Sequence, residues 1–262
     1  MIRDLINKHQ KYSKSGFRYR GLNASRIENL TDTVFGFAIT LLVIASQVPK
    51  SYVELQASMY EFVGFVACVL LLFGIWNNHN NFFKHYGLQD NVTKSLNFLF
   101  LFVLLFYIYP LKYLFSFLGS VILINLLMYF DFSSPALILA RDKTIMANMD
   151  AEQWADLMVR FGLGLFFIYL IIGLMHINAL KKKELLELNA IEIFDTKGFI
   201  WAYFYLILTA CVSILVVMIG GGTFSLYSGL CYLTIPIALP LIRKFRNKKF
   251  KSKPDEILLN ND

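Results

Sequence analysis

The chain has 262 residues, of which 57% are hydrophobic and only 16% are charged, and its mean hydropathy is +0.55. A soluble domain carries about 25% charged residues, so the excess of apolar side chains indicates that lipid surrounds much of this protein and excludes an ordinary soluble domain. The net charge of +7 fits basic loops beside anionic lipid and requires no nucleic-acid partner.

Runs of about 20 apolar residues predict six transmembrane helices, so the expected fold is all-α and polytopic. The predicted spans cover residues 32–48, 60–77, 96–118, 161–179, 200–219 and 225–242. Pro110 lies inside the third span and predicts a kink there. The region 119–159 stays open, because it could extend the third span, re-enter the bilayer or lie at the surface. A seventh span over residues 121–139 is a further alternative.

Twenty of the 25 Lys and Arg residues lie in four regions of the chain. These are the first 26 residues, the loops that follow the second and fourth spans, and the tail after Ile242. Six spans place all four regions on one side of the membrane, which the positive-inside rule assigns to the cytoplasm, whereas a seventh span would move the tail across. We therefore expect a multi-pass cell-membrane protein with both termini cytoplasmic. Its expected parts are a basic N-terminal segment (1–26), a six-helix transmembrane domain (27–243) and a basic tail (244–262).

The loop after the fourth predicted span carries a run of charges between residues 180 and 193. It contains three consecutive lysines at 181–183 and the glutamates Glu184, Glu187 and Glu192. Opposite charges at this spacing are typical of a helix with a solvated face. We expect this stretch to extend a helix into the cytoplasm with its charges in water.

One face of the first predicted span is polar and small. On a helix with 3.6 residues per turn, the polar stripe holds Asn29, Thr33, Gly36, Thr40, Val43 and Gln47, and its apolar neighbour holds Leu30, Val34, Phe37, Leu41, Ile44 and Val48. This pattern favours a helix that faces a partner or a narrow pore. In the alternative interpretation, Thr40 hydrogen-bonds the carbonyl one turn back and Gly36 permits close helix contact.

Charged and aromatic residues mark the same end of the first two spans. Arg26 and Asp32 begin the first span, and Trp76 and His79 share a face at the end of the second. We expect Arg26 and Asp32 to brace neighbouring elements, and a neutral His79 to pair with an ionised Asp32. The alternative is a charged helix N-terminus beside an interfacial Trp. No second His or acid lies at metal-ligand spacing and no catalytic motif is present, so the sequence predicts neither a metal site nor an enzyme.

These motifs resemble the prokaryotic members of the transmembrane protein 175 family. The resemblance is carried by Arg26-x-x-x-Leu30-Thr31-Asp32, by Val34-Phe35-x-Phe37-Ala38-Ile39-Thr40 and by Trp76-x-x-His79. Asn97 and Pro110 in the third span also look like that family. The similarity covers roughly residues 20–115.

The resemblance implies a subunit of six helices, a four-fold homotetramer and a pore that is lined by the first helix and conducts potassium without a carbonyl filter loop. It places the apolar constriction at Phe37, Leu41 and Ile44, and the hydroxyls near the ion path at Thr40. It assigns the bracing of the pore helix to Arg26, Thr31, Asp32, Trp76 and His79. No cofactor is implied, since potassium is the permeant ion. Phe37 replaces the family's usual aliphatic side chain, so four rings would block the path or form a tight hydrophobic gate.

An alternative function is that of a small-solute transporter or a non-conducting membrane scaffold. A transporter would favour internal repeats or discontinuous helices near the midplane, whereas the sequence has only the expected kink at Pro110 and no clear repeat. A stable monomer would favour this alternative over a channel, because one first helix cannot enclose a pore.

Overall fold

The computed structural model describes residues 13, 16–44, 48–130, 134–147 and 149–252. Within these ranges the chain is helical, which confirms the all-α prediction. The helices are α1 (Arg26–Ile44), α2 (Tyr52–Met59), α3 (Phe62–Tyr86), α4 (Asn91–Tyr129), α5 (Pro135–Met146), α6 (Ala151–Lys181), α7 (Ala190–Gly220), α8 (Ser225–Cys231) and α9 (Ile235–Ser252). Short 3₁₀ turns, Gly221–Phe224 and Tyr232–Thr234, join the last three.

Four helical stretches of the described chain are long and apolar enough to cross a membrane. They are Phe62–Tyr86, Asn91–Tyr129, Ala151–Lys181 and Ala190–Arg246. The last stretch has 57 residues, whereas one crossing needs about 20, and the glycines at 220–222 divide it. Helix α1 begins six residues before the predicted first span, because the polar residues 26–32 form its first two turns.

The segment after the predicted third span belongs mainly to two helices. Helix α4 continues to Tyr129, so residues 119–129 extend the third span, and Pro110 lies within that helix. Helix α5 begins at Pro135, where Ser134 accepts a hydrogen bond from the Leu137 amide. A single helix over residues 121–139 does not form, because the backbone of Ser134 is extended. Ala57 of α2, Ile124 of α4, and Leu137 and Ala140 of α5 form a small second core.

Side-chain caps and one glycine contact explain how the long helices begin and cross. Asp90 caps α4, whereas Asp150 and Asn189 form capping boxes that start α6 and α7. Helices α3 and α4 cross at Gly64 and Gly119, where a Cβ atom at Gly64 would collide with the backbone of α4. This contact lets the two helices run close together beside α1.

Three ion pairs join the basic regions of the chain at one end of the bundle. Lys182, after α6, lies 2.7 Å from the Asp90 carboxylate before α4. Arg20, before α1, lies 2.6 Å from Glu192 in the first turn of α7, and Arg246 of α9 lies 3.0 Å from Asp195. Described residues from all four basic regions therefore meet at the same end of the helices.

Glu192 does not behave as the charge pattern of its loop predicts. Helix α6 ends at Lys181, and Glu192 is completely buried in the first turn of α7. The expectation that the glutamates of this loop all lie in water is therefore wrong for Glu192. The N-terminal segment folds over it and supplies the Arg20 guanidinium, an interaction between residues 172 positions apart.

Candidate functional site

Helix α1 has one buried face and one exposed face. The buried residues are Thr31, Phe35, Ala38 and Leu42, which recur every three or four positions and pack with α3 and α4. The opposite face exposes Asn29, Thr33, Gly36, Phe37, Thr40 and Val43. All members of the predicted polar stripe that lie within the described residues are on this exposed face.

The predicted ion-pathway residues occupy different parts of that face. Phe37 is 60% exposed, and Thr40 is exposed beside it one turn further along the helix. Leu41 is half-buried, at the edge between the two faces. Ile44 ends α1, and its side chain and Gln47 lie outside the described residues.

The exposed hydroxyls of α1 bond to their own helix. Thr40 Oγ1 donates to the Gly36 carbonyl at 2.9 Å, and Thr33 Oγ1 donates to the Asn29 carbonyl at 2.8 Å. Thr40 therefore makes the hydrogen bond to the carbonyl one turn back that the alternative interpretation predicts. It does not remove Thr40 from an ion path, because a hydroxyl oxygen that donates its proton keeps lone pairs directed away from the helix.

A buried polar network holds the opposite face of α1 to two other helices. Asn97 of α4 donates through Nδ2 to Thr31 Oγ1 at 3.0 Å, and the Thr31 hydroxyl donates to the Ile27 carbonyl at 2.9 Å. The Asn97 Oδ1 atom accepts from His79 Nε2 of α3 at 2.6 Å. All three side chains are at most 2% exposed, so each would be costly to leave without a partner.

Asp32 binds a different partner from the one that the sequence predicts. Trp76 donates its indole N–H to Asp32 Oδ1 at 2.8 Å, whereas His79 binds Asn97. The expected pair of His79 and Asp32 is therefore wrong. The buried face of α1 directs Thr31 towards α3 and α4, and Asp32 lies about 100° around the helix, where it reaches Trp76.

Arg26 and Asn97 also differ from expectation. Arg26 is exposed in the first turn of α1 and makes no hydrogen bond or ion pair with the other four predicted bracing residues, all of which are described. Asn97 was not predicted to brace the pore helix, yet it connects Thr31 to His79. Its signal in the sequence is a single amide inside a long apolar run, which needs a polar partner at membrane depth.

The fold and this site define an all-helical membrane protein whose first helix is fixed by a buried polar network and presents a separate, partly polar face. A family model described as "Endosomal/lysosomal potassium channel TMEM175" matches residues 26–107, which contain the whole network. A curated potassium channel of Marivirga tractuosa is 39% identical over 227 residues, or 85% of this chain and 88% of that protein.

Two further comparisons agree with that match. A potassium channel of Streptomyces collinus is 31% identical over 86 residues, or 30% of this chain and 42% of that protein. The crystal structure of a threonine-to-alanine variant of the potassium channel MtTMEM175, in complex with a nanobody–MBP fusion protein, superposes with a TM-score of 0.75. It has 35% identity and covers 90% of this chain and 99% of that one. The chain belongs to the TMEM175 family of potassium channels. Its relatives are ion channels, in agreement with the prediction that the chain is not an enzyme.

Proposed function

We propose that this chain forms a potassium-permeable channel in which four copies of α1 surround a central axis. The observation that carries the proposal is the exposed face of α1, where threonines, a glycine and Phe37 lie opposite a fully buried polar network. A face of this composition suits a pore or a helix contact better than lipid. The potassium-channel relatives support the choice of ion.

In this proposal the constriction consists of apolar rings from Phe37, Leu41 and Ile44. These residues extend over about 10 Å of helix, given a rise of about 1.5 Å per residue. Thr40 lies between them and contributes hydroxyl oxygens to the ion path. A narrow apolar segment excludes water when it is closed and conducts when it widens and rehydrates.

Four of the five motif residues, all except Arg26, would hold the pore helix within its own subunit. Thr31 and Asp32 attach α1 to α4 and α3 through the contacts with Asn97, His79 and Trp76. Arg26 is exposed in the first turn, where it is available to a neighbouring subunit. The proposed role of the group is to set the rotation of α1, and therefore which side chains face the axis.

We further propose six membrane crossings per subunit and cytoplasmic termini. The basic segment would comprise residues 1–26, the membrane domain 27–243 and the basic tail 244–262. The ion pairs of Lys182, Arg20 and Arg246 support this arrangement, because they bring described residues from all four basic regions to one end of the bundle. Anionic lipid on the cytoplasmic side would attract that end.

The proposal is tested by purifying the protein, measuring its oligomeric mass and recording potassium flux after reconstitution in liposomes. We expect a tetramer and a flux that exceeds that of protein-free liposomes and of the same proteoliposomes with only a large organic cation present. Tetramers without potassium flux under any condition would refute the channel. A stable monomer would favour the non-conducting scaffold instead.

A further inference from the structure

The segment before α1 is fixed to the rest of the subunit at Arg20. Its guanidinium donates from Nη2 to Glu192 Oε2 at 2.6 Å and from Nη1 to Glu192 Oε1 at 3.1 Å, so it grips both carboxylate oxygens. It also donates from Nε to the Leu186 carbonyl at 2.8 Å and from Nη2 to the Glu187 carbonyl at 3.2 Å. One arginine therefore joins the N-terminal segment to the whole connection between α6 and α7.

The surroundings of Glu192 favour an ion pair with Arg20. Its side chain is completely buried and accepts backbone N–H bonds from Arg18 at 2.8 Å and Asn189 at 3.1 Å. The Glu192 amide in turn donates to the Asn189 side chain, which starts α7. A buried carboxylate of this kind is strongly destabilised when its counter-charge is removed.

The same segment also lies against the end of α3. Phe17 is fully buried, and its ring centre is 4.3 Å from that of His85. The amides of Arg20 and Gly21 both donate to the Lys84 carbonyl, at 3.0 and 3.1 Å. A Cβ atom at Gly21 would collide with the Phe83 carbonyl, so the two backbones are in direct contact.

This attachment lies very close to the proposed pore helix. Only residues 22–25 separate the last of these contacts, at Gly21, from the first residue of α1. The five steps from Gly21 to Arg26 extend over about 18 Å at most, which limits how far α1 can tilt or slide while the attachment holds. Beyond it, the described residues of α1 pack against α3 and α4 through the buried face, and Asp32 bonds to Trp76 of α3.

We propose that Arg20 and Glu192 are positioning residues for gating, and that their ion pair restrains the cytoplasmic end of the pore helix. The proposal rests on the proposed channel function. Neither residue lies on the exposed face of α1, so the pair would change how often the pore opens without changing the ion path. Conductance and selectivity would therefore stay as they are while open probability changes.

The test compares Glu192→Gln with Glu187→Gln in full-length tetramers. Gln retains the size of the side chain and removes its charge. Glu187 is the matched control, because it lies in the same connection but is 82% exposed, and its carboxylate is 3.9 Å from Arg18. Single-channel recording gives open probability, unitary conductance and reversal potential. Hydrogen–deuterium exchange of the peptide that spans residues 21–30 reports the attachment independently of conduction.

For Glu192→Gln we expect a change in open probability of at least about fivefold, within the range of known coupling between distant sites, together with faster exchange of residues 21–30. Unitary conductance and reversal potential should match the wild type, and Glu187→Gln should match it in every readout. Unchanged open probability and unchanged exchange would overturn the proposal. A change in unitary conductance would also overturn it, because the pair would then affect the ion path itself.

A second variant covers the case in which Glu192→Gln does not assemble. Arg20→Lys retains the charge but loses the planar fork that reaches both carboxylate oxygens and the loop carbonyls. It should show the same two changes in weaker form, and wild-type behaviour in both readouts would overturn the proposal. If the wild-type tetramer itself does not conduct, the channel proposal fails, and the exchange measurement alone decides whether the ion pair restrains α1.

Discussion

Trp76 and His79 hold α1 through two different kinds of hydrogen bond. The Trp76 indole binds an exposed carboxylate, whereas the His79 imidazole binds a buried amide and stacks on Phe100 with a 5.0 Å centroid distance. A bond to a charged acceptor is the stronger one in isolation. The buried bond is more costly to break, since its partner cannot turn to water. Trp76 therefore binds α1 directly at Asp32, whereas His79 acts on Thr31 of α1 through Asn97.

A second polar contact, between Asp90 and Lys182, predicts a dependence of stability on pH. Partial burial opposes ionisation of Asp90, but hydrogen bonds from Lys182, Thr93 and Asn178 outweigh it and hold the pKa of this carboxyl well below its ordinary value of 3.8. When folding lowers the pKa of a carboxyl, the ionised group stabilises the folded state at every pH above the pKa of the unfolded state. This stabilisation is lost as the pH falls from there through the pKa of the folded state. The affected window therefore lies below about pH 4.

We expect Asp90→Asn to lower the melting temperature at pH 7 by about 2–4 °C, which corresponds to about 1 kcal/mol for a partly exposed pair. Asn is as good a helix cap as Asp, so the change retains the cap and removes the charge together with one acceptor oxygen. The difference from wild type should shrink as the pH is lowered below 4, in a thermal-unfolding series in detergent. Asp142→Asn, at an exposed carboxylate on α5, is the control and should match wild type throughout. A difference that persists at low pH would contradict the assignment.

At the scale of elements, helix α1 has one face that packs inside the subunit and one face that the subunit leaves exposed. Its buried face is fixed by Thr31, Phe35, Ala38 and Leu42, whereas the described part of the subunit leaves Phe37 on the other face 60% exposed. An exposed aromatic ring on a membrane helix contacts lipid, a partner or a pore. The neighbouring threonines favour the last two.

Replacing Phe37 tests whether this face lines the pore. Phe37→Ala should raise potassium flux roughly tenfold, because the loss of four rings would lower the barrier to hydration by about 1.4 kcal/mol. The measurement is unitary conductance in planar bilayers. Phe102→Ala is the control, since Phe102 is 71% exposed but lies on α4. An unchanged current in Phe37→Ala would place the constriction elsewhere.

At the scale of the whole molecule, the ion pairs and loops define two different ends. One end collects Asp90, Lys182, Glu192 and Arg246, whereas the other holds α2 and α5. Between them, α3 has 25 residues and therefore spans about 37 Å, enough for the hydrocarbon core and part of one headgroup layer. A helix of this length can place the two ends at opposite faces of a membrane.

Single cysteines at the two ends test the proposed orientation. In a background without Cys68, Cys211 and Cys231, Asp142→Cys on α5 should react with an impermeant thiol reagent on intact cells. Glu184→Cys, in the connection after α6, should react only after permeabilisation. Both positions are exposed in the subunit, so access depends on the membrane side. Labelling of Glu184→Cys alone on intact cells would show the opposite orientation. Labelling of both variants on intact cells would contradict six crossings.

The sequence alone determined the class of this protein, because the length of an apolar run is a local property, and the bilayer requires such a run to form a helix. It also indicated the polar stripe of α1 and the importance of Asp32, Trp76 and His79, since such residues are rare in apolar helices. It did not determine which of them form pairs.

Tertiary structure decided the pairing, because contacts between helices depend on their relative rotation and depth, which no local pattern encodes. Asp32 reaches Trp76 instead of His79, and His79 reaches Asn97, only once α1 turns Thr31 inward. Glu192 looks like a surface charge in its lysine-rich loop, and only the fold brings Arg20 across 172 positions to bury it. A run of charged residues usually predicts solvent-exposed side chains. One counter-ion from a distant part of the chain is enough to let a member of the run be buried.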